Sequence, residues 1–101
     1  MVKHVVLFKL KSFSSETEKD RKINQIKLGL LNLKTIIPEL QSIEVGVNEN
    51  PKEQFDIALT TTHNSMEELQ AYAVHPSHQA VSQIVREALE VRACVDYIVQ
   101  I

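Results

Sequence analysis

Residues 2–11, VKHVVLFKLK, are a strand that is apolar on both sides, which constrains what this chain can fold into more than any other feature. Alternation puts Val2, His4, Val6, Phe8 and Leu10 on one face, and Lys3, Val5, Leu7, Lys9 and Lys11 on the other. Residues 91–101, VRACVDYIVQI, repeat the pattern, with Val95, Tyr97 and Val99 opposed to Cys94 and Ile98. A strand with one wet face alternates cleanly, whereas one buried on both sides carries a near-continuous apolar run. Helices of a chain this short cover one face of a sheet, so the other would be left as a large apolar patch. The simplest cover is a second copy placed by two-fold symmetry, so a homodimer through the open sheet face is expected. The competing reading is that the lysines rim a face left in water.

Between these strands the pattern changes period. Ser15 with Glu18 forms a capping box, and Ile23, Ile26, Leu30, Leu33 and Ile37 recur at helical spacing until Pro38 stops the helix. Residues 41–49 alternate around Ile43, Val45 and Val47, with Gly46 suggesting a bulge or close approach. The loop NENPKEQ leads to a third strand, FDIALTTTH, residues 55–63. Ser65 with Glu68 caps a short helix with Met66, Leu69, Tyr72 and Ala73 inward, and Pro76 breaks it. A last helix presents Val81, Ile84, Val85, Ala88 and Leu89. The order βαββαβ predicts one domain over residues 1–101, an α+β ferredoxin-like unit with an antiparallel four-stranded sheet.

Composition removes several function classes. The net charge of −2 and the scattered lysines and arginines offer no basic stripe for nucleic acid. No apolar run reaches membrane-spanning length, and no secretory signal opens the chain, so a cytoplasmic location is expected. Cys94 stands alone, which excludes an internal disulfide and metal sites built on paired cysteines, and it fits a small buried hydrophobe. Gly29 and Gly46 are the only glycines, so no phosphate-cradling loop exists.

The stretch YAVHPSHQ, residues 72–79, concentrates the chemistry-bearing side chains. Pro76 suits the first position of a helix, which makes His75 its N-cap and His78 its third residue. An imidazole there lies at the positive end of the helix dipole, which favours the neutral form that a general base needs. Tyr72, at the inward end of the preceding helix, can share a cavity with His78, and a phenol donor beside a base suits enolate chemistry. The same residues also fit a hydrogen-bonded brace across the bend. His4 fits a bonded core residue, and His63 a loop residue beside Asn64 and Ser65. His75 and His78 lack a third ligand nearby in sequence, so no metal is expected.

HVVLFKLK, the Tyr-Ala-Val-His-Pro-Ser-His segment and the terminal CVDY together resemble the stress-responsive α/β-barrel family, from Lys3 to about Tyr97. The resemblance implies a ferredoxin-like fold that dimerises by its open sheet face into a barrel. One characterised plant member is a cofactor-free cyclase, and its acid, base and first-strand histidine fall here on Tyr72, His78 and His4. The resemblance further implies a pocket between sheet and helices, lined by Phe8, Phe55, Leu69 and His75. The leading expectation is a small homodimer with a small-molecule pocket, using Tyr72 and His78 for cofactor-independent cyclisation or isomerisation of a carbonyl or aromatic ligand. The alternatives are a non-catalytic stress-protective or ligand-binding dimer and a cofactor-free monooxygenase.

Overall fold

The computed structural model describes residues 1–100. Strand β1 (Val2–Leu10) leads into helix α1 (Glu16–Asn32), which tightens into a single 3₁₀ turn at Leu33–Thr35. Strands β2 (Ser42–Val47) and β3 (Ile57–His63) follow, then helices α2 (Met66–Val74) and α3 (Pro76–Ala88), and strand β4 (Leu89–Ile98). The four strands form one antiparallel sheet in the order β2-β3-β1-β4. This is the ferredoxin-like α+β arrangement, with all the helices on one side.

Local chemistry starts most of these elements near where the sequence predicts, although β3 begins only at Ile57 and β4 already at Leu89, which the sequence placed on the last helix. Ser15 accepts a hydrogen bond from the Glu18 amide at 3.2 Å, and Ser65 one from the Glu68 amide at 3.1 Å, so both caps form. Helix α1 ends earlier than Pro38 requires, because the chain tightens at Leu33–Thr35 and buries Leu33 and Ile37 on the way out. Gly46 makes no bulge. It pairs in register with Ala58, while the register shift falls between Lys9 and Leu10 in the β1–β4 ladder. Met66 is not inward but half-exposed, whereas Leu69 and Tyr72 are buried.

The core lies between the sheet and the helices. Val6, Phe8, Leu10, Val45, Ile57 and Leu59 face Ile26, Leu30, Leu33, Leu69 and Val85. At Gly29 α1 faces α3, and a β-carbon there would meet the Val81 side chain at 3.4 Å, an ordinary van der Waals contact. One carboxylate fixes the end of the sheet. Asp56 accepts from the Leu10 amide at 2.8 Å and from Lys19 Nζ at 2.9 Å, while its own amide donates to the Phe8 carbonyl at 2.8 Å. It thereby ties β1 to the entry of β3 and to the first turns of α1.

The roof stops short of β4. Residues from Glu90 to Ile98 are exposed along the strand. On the open face, Val95 is 55% and Tyr97 46% exposed beside the partly covered Val5 and Leu7. Replacing Asp56 with alanine orphans a part-buried amide, so urea denaturation should show a loss of ~1–3 kcal/mol. Unchanged stability would show that Asp56 does not fasten this end of the sheet.

Candidate functional site

The break between α2 and α3 is a single residue. His75 adopts extended backbone (φ −61°, ψ 135°), as expected before a proline, and caps α3 by accepting at Nδ1 from the Ser77 amide at 3.1 Å. The bend folds α3 back so that the ring of His78 lies 4.5 Å from that of Tyr72, centroid to centroid, at a tilt of 54°. Tyr72 also meets His63, at 4.9 Å between ring centroids. The tyrosine is thus in ring contact with two imidazoles, with 1% of its surface exposed.

Each imidazole has a defined partner. His78 Nδ1 lies 2.9 Å from the Ala73 carbonyl. A carbonyl only accepts, so Nδ1 carries the proton and Nε2 keeps its lone pair, with no protein partner among the described residues. Burial, followed by the positive neighbours His4, Arg86 and Arg92, lowers the His78 pKa against the opposing Ala73 bond. His63 is also kept neutral by burial, with Nδ1 at 2.8 Å from the Glu39 carbonyl and Nε2 at 2.9 Å from the Thr61 hydroxyl. It is therefore the buried end of β3 and not a loop residue. Nδ1–H donates to the carbonyl, and Nε2 accepts from the threonine.

Tyr72 has no such partner. Its hydroxyl is buried and makes no hydrogen bond among the described residues, and burial pushes its pKa up to about 12. A phenol so disposed stays protonated across the neutral range and has its proton free for an acceptor brought from outside. A brace between Tyr72 and His78 would have consumed it.

Tyr72 and His78 line a cavity of about 210 Å³ between sheet and helices. Its walls include Val6, Phe8, Leu59, Leu69 and Val85, and its polar side chains include His4, Arg92 and Asp96. Two residues expected in this pocket lie outside its lining. His75 is occupied as the α3 cap. Phe55 precedes β3, which begins at Ile57, and contributes with Leu7 and Ala58 to a separate depression on the open face. Alternation does not carry back to Phe55: β3 begins at Ile57, and Asp56, whose backbone still bonds Phe8 and Asn48, turns its carboxylate to Leu10 and Lys19.

The structure adds a group that sequence reading missed. Pairing of β1 with β4 sets His4 opposite Asp96, and His4 Nδ1 lies 2.5 Å from Asp96 Oδ1. Cys94 is exposed and not a buried hydrophobe, with Sγ 3.5 Å from His4 Nδ1 and 3.7 Å from Asp96 Oδ1. Burial, with the Asp96 charge next, raises the Cys94 pKa and keeps the thiol protonated. The three donor atoms lie close enough to hold a metal ion, which would have to replace the proton shared by His4 and Asp96. The only advance signal was the alternation that put His4 and Val6 on one face, since the facing residues lie about ninety positions away.

A one-sided ferredoxin-like domain with a tyrosine and a neutral histidine at an apolar cavity defines the class. The chain belongs to the Stress responsive A/B Barrel Domain family, whose model matches residues 2–99. It is 27% identical to olivetolic acid cyclase of Cannabis sativa over 99 residues, covering 95% of this chain and 94% of that protein. Its fold matches a dimeric ferredoxin-like protein of unknown function from Bacteroides fragilis at a TM-score of 0.90. That pair shares 42% identity and covers 95% and 93% of the two chains. Hydroxynitrile lyase from Passiflora edulis shares the fold at a TM-score of 0.82 and 24% identity, with coverage of 98% and 93%.

Because the folded-state pKa values of His63 and His78 lie below the ordinary 6.5, protonation favours unfolding. Their neutral state is fully compatible with the fold above that value, and stability is lost as pH falls below it. Imidazole NMR should show both rings titrating below 6.5, with His78 as the Nδ1–H tautomer at pH 7. An Nε2–H tautomer at His78 would remove its lone pair from the cavity.

Proposed function

We propose that this protein is a cofactor-independent enzyme that moves a proton at the carbon next to a carbonyl, as in cyclisation or isomerisation. The observation that carries the reading is the buried, unpartnered Tyr72 hydroxyl beside a neutral histidine at a cavity. A native fold rarely buries a polar atom without a partner, and an acceptor supplied by a ligand accounts for this one. The kinship with olivetolic acid cyclase supports it.

The chemistry follows from the proton inventory. A substrate carbonyl oxygen accepts from Tyr72. His78 Nε2 takes the proton from the adjacent carbon, the C–H electron pair forms the carbon–carbon double bond as the carbonyl π pair moves onto oxygen, and the resulting enolate is held by the phenol. Return of the proton to carbon gives isomerisation or exchange. Attack of the enolate carbon on a second carbonyl of the same molecule closes a ring, the π pair of that carbonyl moves onto its oxygen, and the alkoxide takes back the proton held by His78. His4, oriented by Asp96, is a second polar group at the same cavity.

The working unit we propose is a homodimer joined through the open sheet face. The exposed Val91, Val95 and Tyr97 call for a cover, and the Bacteroides fragilis relative is dimeric. The single free cysteine suits a reducing cytoplasm.

Proton NMR in D₂O should show that wild type accelerates deuterium exchange beside the carbonyl of small ketones and 1,3-diketones. The rate should fall at acid pH as His78 is protonated. Tyr72→Phe should lower it by roughly a hundredfold or more, in the range of a lost oxyanion donor. The same change removes an unsatisfied buried hydroxyl, so the variant should melt no lower than wild type. Exchange that survives in Tyr72→Phe would take the phenol out of the mechanism. If no compound exchanges faster with wild type than with buffer, the non-catalytic reading gains. For the assembly, Val95→Asp should shift a dimeric sedimentation profile to the monomer, and an unshifted profile would place the interface elsewhere.

A further inference from the structure

We propose that the substrate of this cavity carries a carboxylate and that Arg92 binds it; this rests on the carbonyl-chemistry reading above. Arg92 stands on the helix side of β4, directly opposite Phe8 of β1. Of the side chains lining the cavity it alone bears a permanent positive charge. Its guanidinium makes no ion pair among the described residues. Asp96, the carboxylate that shares the cavity, is engaged by His4 instead. An arginine that leaves a nearby carboxylate to a histidine, and has only the Cys94 thiol as a weak side-chain partner, can turn its donors to an incoming anion at the edge of walls made by Val6, Phe8 and Leu59.

The position also fits the chemistry. The charge of Arg92 reaches His78, where it opposes protonation of the imidazole. It therefore lies within electrostatic range of the reacting end and helps hold the base neutral. A guanidinium offers two parallel N–H donors that match a planar carboxylate. The cavity, about 210 Å³, is smaller than the ~300–1,000 Å³ of sites for drug-sized ligands, so the molecule is small. Small keto acids meet these requirements: an apolar body against the sheet, a carbonyl oxygen at Tyr72 and a carboxylate at the β4 mouth. Because the roof stops short of β4, Arg92 is exposed and meets the anion at the entrance.

The test compares 4-oxopentanoate with 4-oxopentanamide, which has nearly the same shape and no charge. Binding is followed by NMR at the Tyr72 and His78 rings. Wild type should bind the acid at least about tenfold more tightly than the amide, as expected for a charge-assisted contact. Added salt should erode that preference. Arg92→Leu should abolish it by weakening the acid while leaving amide binding unchanged, and Arg92→Lys should keep part of it. Arg92 is exposed, so both variants should fold, which their melting curves will check. Equal affinities in wild type, or a preference that survives in Arg92→Leu, would overturn the proposal while leaving the carbonyl site intact. If neither compound perturbs Tyr72 and His78, the carbonyl reading itself fails, and the role of Arg92 falls with it.

Discussion

The helices of this protein cover too little of its sheet, and most of its other features follow from that. They lie on one face, over β2, β3 and β1, and leave β4 without cover on either side. On the covered side the shortfall opens the core toward β4, where the layers part into a cavity lined by Phe8, Tyr72 and Arg92. On the bare side it leaves Val95 and Tyr97 in contact with water. The same geometric deficit thus yields an entrance to the core and an apolar face suited to a second subunit.

The bend at His75 and Pro76 turns that opening into a site. Proline removes the amide that would continue the helix, and the residue before it is forced into extended backbone. His75 meets the resulting shortage of acceptors for the α3 amides by capping with its own ring. The reversal then brings His78 onto Tyr72 and lets the Ala73 carbonyl, near the end of α2, fix the tautomer of a histidine at the start of α3. His63 packs against the same ring, yet spends both ring nitrogens on Thr61 and Glu39. Tyr72 is therefore pinned by two rings that give it no hydrogen bond, which leaves its proton unspent.

Much of this was legible in the sequence because it is local. The capping boxes at Ser15 and Ser65, the helix start at Pro76 and the two-sided alternation of β1 act within a few residues. What escaped depends on long-range register. The pairing of His4 with Asp96 follows from how the first and last strands slide against one another, and no spacing announces it. Cys94 looked like a core residue because it stands among valines, but β4 has no roof to bury it. His63 looked like a loop residue because Asn64 and Ser65 follow it. Its burial is set by the Glu39 carbonyl, delivered by the distant connection after α1. Phe55 was misplaced because alternation was extended through Asp56, whose carboxylate has a different task.

The polar groups at the cavity divide the labour of holding charge. His78 and His63 are neutral by burial, and Tyr72 is held protonated by it. His4 and Asp96 satisfy one another at the edge, so neither presents an uncompensated charge to the apolar walls. Arg92 is the exception, and it is placed where its desolvation is least, on the exposed strand. The interior thus presents a donor and a lone pair that carry no net charge, and the one lasting charge sits at the rim. That gradient favours a molecule that is apolar in the middle, carbonyl-bearing at its inner end and anionic at its outer end. A carboxylate carried past Phe8 and Leu69 would leave Arg92 behind and meet only the neutral donor of Tyr72.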